Sequence, residues 1–204
     1  MGNWMSIDES QREEAVIKLL RRTSAVATVH NKTSVIKRSL LTHLIGTKDL
    51  LSASGHSKAV ALGGLLHSVY GTSIFKKKTL DGDSGRDRRR VREVAGQYSE
   101  RLAWLFCKCN RPWTLNYKLE HGVGEGSGND CVLLKAREGK GLKATRAEFL
   151  DLCAIEAANL LEQNGAERNF EKKWPAIVKT PRYEALVAAS EARFSVNELT
   201  NTSM

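Results

Sequence analysis

Apolar residues recur at helical spacing through most of the chain. Over residues 10–25, Val16, Ile17, Leu19 and Leu20 form one apolar face, with Glu13 and Glu14 in the early turns where negative charge suits a helix N-terminus. A first helix is predicted there. A second is predicted over 34–54, stopping at Gly55. A third starts at Ser57, is nearly all apolar through Leu66 and ends around Tyr70-Gly71. Its composition places it in the interior. A loop over 72–87 has Gly, Asp and Ser at its centre and basic residues on both flanks. A fourth helix, 88–107, turns Val91, Val94, Ala95, Leu102, Leu105 and Phe106 inward.

The helical pattern breaks over 110–144, where Gly122, Gly124, Gly126 and Gly128 make a glycine-rich stretch. Cys131-Val132-Leu133-Leu134 and the segment near Leu142 can pair around Glu138-Gly139-Lys140 as a short hairpin. A fifth helix opens with the capping box Thr145-x-x-Glu148 and runs through Phe149, Leu150, Cys153, Ile155, Leu160 and Leu161 to about Gln163. Pro175 and Pro181 punctuate the tail, and 183–194 reads as a last helix. The expected fold is mostly α: a helical bundle with a small irregular or β-hairpin insertion. The expected organisation is an N-terminal helix and connection over 1–33, a central domain over 34–165 with its insertion at 110–144, and a C-terminal helical extension over 166–204.

The 204 residues suffice for one substantial core, and 41% hydrophobic content excludes a disordered chain. No apolar run approaches the roughly 18 residues of a membrane span, and no secretory pattern opens the sequence, so a cytoplasmic location is expected. Met1-Gly2 with Ser6 matches the short myristoylation pattern, although bulky Trp4 sits inside it. Cys107, Cys109, Cys131 and Cys153 read as reduced, structural thiols; Cys107-x-Cys109 with His121 and Cys131 lacks the usual zinc spacing. The net charge of +9 points to anionic partners. Nucleic acid is the less favoured of these: Phe75 is the one aromatic close to the basic loop, and Trp104 and Trp113 read as core or pocket wall.

Two of the five histidines stand out. His43 shares its face of the second helix with Ile36, Leu40, Thr47 and Leu50, which aims it into the core. His67 ends the third helix, with Gly63 and Gly64 one turn below, where a neighbouring helix can approach closely. Two inward imidazoles on neighbouring helices can meet and serve as neutral ligands for Mn, Fe, Ni or Zn. The alternative is a pair of core histidines with satisfied nitrogens.

The stretch His43-Leu44-Ile45-Gly46-Thr47-Lys48-Asp49-Leu50-Leu51, then Gly55, then Leu65-Leu66-His67-Ser68, resembles the signature of the HD superfamily of metal-dependent phosphohydrolases. Arg90-Val91-Arg92-Glu93-Val94-Ala95-Gly96-Gln97-Tyr98 is similar to the corresponding helix of the stringent-response (p)ppGpp hydrolases. The segment from Leu152 to Leu161 takes the place of that family's last metal-binding helix. A branch of small HD-like proteins without an assigned activity shares His67-Ser68-Val69-Tyr70-Gly71-Thr72. The resemblance covers residues 34–165 and implies an HD-like fold with His43 and His67 as metal ligands. Where that family has its two aspartates, this chain has Ser68 and Asn159. These four positions carry no charge, so a divalent cation there lacks compensating anions.

Glu156, one turn before Asn159, or Glu100 on the fourth helix can supply the missing anion. Against Glu156, the residues Glu148, Asp151, Asn159, Glu162 and Gln163 fall on much the same side of that helix and can form a solvent face. Ser68, Tyr70 and Asn159 can instead hydrogen-bond an organic ligand without metal. Lys76, Arg88 and Arg92 follow His67 closely and suit a phosphate at the mouth of the site. Three functions are carried forward. The first is metal-dependent hydrolysis of a phosphorylated or nucleotide-type small molecule. The second is a metal-free ligand-binding or regulatory module. The third is iron-dependent oxygenase chemistry, for which the contexts of His30, His56 and His121 offer no further ligands.

Overall fold

The computed structural model describes residues 8–23, 29–30, 38–72, 79–122, 131–139, 141–164 and 168–201. The described chain is mostly helical, with a small antiparallel hairpin inserted between its sixth and seventh helices. Helix α1 (Glu9–Arg21) lies against α4 (Gly85–Ala95) and α3 (Lys58–Leu66), burying Val16, Leu19 and Leu20. Helix α2 (Leu40–Ala53) begins at Ser39, whose side chain accepts from the Thr42 amide, a good N-cap. The predicted start near residue 34 is therefore early by half a dozen positions. Arg38 and Ser39 form a short strand, β2, paired antiparallel with β1 (Val29–His30), which the apolar pattern does not announce.

Helix α3 packs between α2 and α5 (Gln97–Lys108), with Ser57 capping its first turn. A Cβ on Gly64 would overlap Leu51 of α2, so the glycine below His67 sets how closely these helices approach. The long fourth helix expected over 88–107 is two helices. Gly96, at φ +88°, accepts from the Glu100 amide to open α5, while its own N–H closes α4 on the Arg92 carbonyl. A lone Gly in an apolar pattern is often tolerated within a helix, so residue 96 carries no firm stop signal. Helix α6 (Trp113–His121) also escapes the sequence reading, which the neighbouring glycines dominate. Residues 123–130, with three of those glycines, lie outside the described segments, as do Met1, Gly2, Trp4 and Ser6.

The expected hairpin is present. Strand β3 (Cys131–Leu134) pairs with β4 (Leu142–Thr145), Cys131 opposite Thr145 and Leu134 opposite Leu142. Val132, Leu134 and Ala144 face the core, and Leu133 faces outward. Helix α7 (Arg146–Asn164) opens with the reciprocal capping box: Glu148 N–H donates to Thr145 Oγ1, and Thr145 N–H to Glu148 Oε2. It then runs through the middle of the molecule, touching α2, α3, α5 and α9 (Tyr183–Asn201). Its small residues Cys153, Ala154, Ala157 and Ala158 are almost wholly buried, which lets four neighbours crowd round one helix. The short α8 (Phe170–Lys173) and a 3-10 turn (Pro175–Lys179) lead into α9, and Ile177, Tyr183 and Leu186 join the same core. The C-terminal extension is thus packed on the central helices. All four cysteines are free thiols; burial pushes Cys107 and Cys109 up to about 12, which leaves them protonated and inert at neutral pH. Among the described residues no helix is long and apolar enough to cross a membrane.

Candidate metal centre

His43 projects from the first turn of α2 and His67 from the C-terminal cap of α3, both almost wholly buried. Their Nε2 atoms stand 3.2 Å apart, with the rings edge to face at 5.0 Å. From α7, Asn159 brings Oδ1 to 3.1 Å from His43 Nε2. Three polar atoms therefore converge on one point inside the core.

The contacts behind them determine what that point needs. His67 Nδ1 lies 2.7 Å from the Gly64 carbonyl, which can only accept, so Nδ1 carries the hydrogen. In the neutral ring Nε2 then presents a lone pair. His43 Nδ1 contacts the Glu162 carboxylate, and with that carboxylate ionised His43 Nε2 also presents a lone pair. Asn159 Oδ1 accepts from Gln163 Nε2 at 2.7 Å, and the Asn159 amide also bears on Glu156, so its oxygen is turned toward the histidines. Three lone pairs facing one another repel unless a cation sits among them. Two species meet that need: a divalent metal ion, or a hydrogen on His43 Nε2 with the second proton shared between His43 Nδ1 and Glu162.

The spacing of the donors suits a metal. Ligand atoms at about 2.0–2.2 Å from a common ion, subtending roughly 90–110°, stand about 3.0–3.5 Å apart. The observed separations, 3.1 and 3.2 Å, fall in that range. Each imidazole is braced on its far nitrogen by a carboxylate or a carbonyl, the usual arrangement behind metal-ligating histidines. Among the described residues no three His, Cys, Asp or Glu side chains form a metal-holding group, so the third donor would be the neutral Asn159 amide. That set is short of anionic charge.

Glu162 is the residue that the sequence reading set aside with a solvent face. Glu148, Asn159 and Glu162 are buried and Asp151 and Gln163 half-buried, so that side of α7 points inward. The periodicity misleads because α7 is packed on nearly all sides and its inward polar residues have partners. Gly46 could have revealed the contact. It lies one turn past His43, and a Cβ there would stand 2.7 Å from Glu162 Oε1 and 2.8 Å from Cγ. Gly46→Ala gains up to about 1 kcal/mol of helix propensity but forces overpacking that costs about 1–3 kcal/mol. Net destabilisation is expected in chemical denaturation, with the Glu162 carboxylate pushed off His43.

The other expected anions are engaged elsewhere. Glu156 is fully buried and its carboxylate takes Arg111 Nη1 at 2.5 Å. Burial raises the Glu156 pKa above its ordinary value, and the Arg111 charge and hydrogen bond oppose that rise. Arg111, absent from the sequence reading, stands over the Phe106 ring at 4.0 Å, and Phe106 packs edge-on against His67. Glu100 is bound by Arg88 through two hydrogen bonds of 2.6 and 3.1 Å and by the Tyr70 hydroxyl at 3.2 Å. The phenol and guanidinium hold it, which corrects its expected place as an anion for the histidines. Burial is the main reason that Tyr70 titrates far above its ordinary value. Ser68 is buried just past His67, its carbonyl accepting from the Gly71 amide.

Arg88 and Arg92, expected at a phosphate near the histidines, lie on α4, where Arg88 is paired with Glu100. Lys76 and Phe75 lie outside the described residues. His56 follows α2, near Asp151 and Arg182. His121 ends α6 on the surface, stacked on Tyr117, and the side chain of His30 is not among those described. Trp113, expected as core or pocket wall, is 47% exposed and stacks on Tyr117.

A family model described as a domain of unknown function (DUF6817) matches residues 19–111. The matched stretch includes His43, His67, Glu100 and Arg111 and ends before α7, which brings Asn159 and Glu162. No curated protein and no solved structure matches the chain.

Proposed function

We propose that this chain is an HD-like domain whose buried histidine centre holds a divalent ion, one of Mn, Fe, Ni or Zn, and hydrolyses a phosphorylated or nucleotide-type small molecule. The convergence of the His43, His67 and Asn159 lone pairs, each fixed from behind, carries this reading. The resemblance of the segments around both histidines to the HD signature agrees with it. A divalent ion there would supply Lewis acidity toward a phosphoryl group. His43 and His67 act as neutral donors on rigid helices. Glu162 orients His43 and supplies one negative charge next to the donors. One carboxylate does not balance a divalent ion in a buried site, so an anionic ligand belongs to the complete assembly.

The second reading is a metal-free binding module. It is favoured by one observation: a proton in place of the metal leaves His43 and Glu162 jointly neutral in the core. Elemental analysis of protein purified without chelator separates the two, alongside His67→Ala. Near-stoichiometric metal in the wild type, lost in the variant, is the expected result. Wild-type protein that is folded and metal-free would overturn the hydrolase reading and leave the binding module.

A further inference from the structure

The break at Gly96 builds a second feature, remote from the motif histidines in sequence and not dependent on a metal. On a straight helix at about 100° per residue, Arg88 and Arg101 would point roughly 140° apart. The change of direction at Gly96 instead brings Arg88 and Arg92 of α4 and Gln97 and Arg101 of α5 onto one cleft of about 420 Å³. That volume suits a small molecule.

The guanidiniums are held in place. Buried Glu100 grips Arg88 through Nε and Nη2. Glu148, fixed in the α7 capping box, accepts from Arg101 Nε at 3.2 Å, and the Lys143 carbonyl accepts from Arg101 Nη2 at 2.7 Å. Trp104 packs against both, with the Arg88 and Arg101 guanidinium carbons 4.6 and 5.3 Å from its ring, and its own Nε1–H is tied to the Gly82 carbonyl. Arg92 is 3.8 Å from Glu100 with a 42% exposed side chain, too long for a good hydrogen bond. The cleft therefore sets three guanidiniums against two carboxylates, and the excess charge faces solvent.

We propose that this cleft binds a small anion carrying a pyrophosphate or bisphosphate group. Arg92 supplies the primary charge, Arg88 and Arg101 supply pre-positioned N–H donors, and the Gln97 amide adds a neutral donor. Fixed guanidiniums lose little freedom on binding and match phosphate oxygens in pairs. Glu100, Glu148 and Trp104 are positioning residues, which hold the donors without touching the ligand.

The test is equilibrium dialysis of labelled inorganic pyrophosphate against chelator-treated, full-length protein. With no divalent metal present, the outcome is independent of the histidine centre. One saturable site is expected. Arg92→Gln, at an exposed position where folding is not at stake, and Arg101→Gln should each weaken binding about tenfold or more through loss of charge-assisted hydrogen bonds. Lys179→Gln, an equal loss of charge at an exposed site, should leave binding unchanged. Absence of saturable binding, or the same weakening in Lys179→Gln as in Arg92→Gln, would overturn the proposal.

Discussion

Glu162→Gln is expected to lower the affinity of the centre for a divalent ion by about 10- to 100-fold while the helical fold survives. The substitution keeps the size of a side chain that is wholly buried against His43. It removes the negative charge that makes His43 Nδ1 the protonated nitrogen and raises the basicity of Nε2. A Gln carbonyl can still accept from Nδ1, so the ring keeps its orientation and the loss is mainly electrostatic. Zinc titration of chelator-stripped protein, wild type against variant, reads the effect. Equal affinities would mean that Glu162 does not brace a ligand.

Arg111→Met should cost about 3–5 kcal/mol of folding stability at neutral pH, because it leaves the Glu156 carboxylate buried without its cation. Adding Glu156→Leu should restore most of that loss, since an apolar pair of similar volume needs no solvation. The pH dependence has a definite sign. Burial already raises the Glu156 pKa above 4.5, and Arg111 is the chief opposing influence. Without Arg111 the folded-state value rises further, so the folded state binds a proton that the unfolded state releases. The variant's deficit should grow as pH rises from the wild type's already raised Glu156 value through the variant's still higher one, and shrink on acidification. Urea denaturation at several pH values measures this. A deficit that does not change with pH, or a double variant as unstable as Arg111→Met, would refute the pairing as its cause.

The parts of this molecule that were legible in the sequence are those set by local rules. Ser57 and the Thr145/Glu148 box mark helix starts, Gly55 follows the end of α2, and the apolar run at 131–134 with the turn residues Glu138-Gly139-Lys140 marks the hairpin. The meeting of His43 and His67 was readable because apolar neighbours and the glycines under His67 are both short-range signals. Partners on distant segments were not readable. Glu162 reaches His43 across 119 positions, and Arg111 reaches Glu156 across 45. A buried carboxylate with a partner has the same letter as a solvated one, and the four carboxylates of α7 are all buried or half-buried. The kink at Gly96 was hidden for a related reason. Its backbone conformation depends on what α4 and α5 pack against, and the apolar period continues through it.

The lone-pair convergence is tested most directly by nitrogen-15 NMR of the histidine side chains, recorded on chelator-stripped protein and again after one equivalent of zinc. The expected result is that the Nε2 resonances of two of the five histidines, assigned with His43→Gln and His67→Gln, move to coordinated values in step with the added metal. Unchanged resonances after zinc, with His43 Nε2 carrying a hydrogen throughout, would contradict the metal centre and show that a proton occupies it.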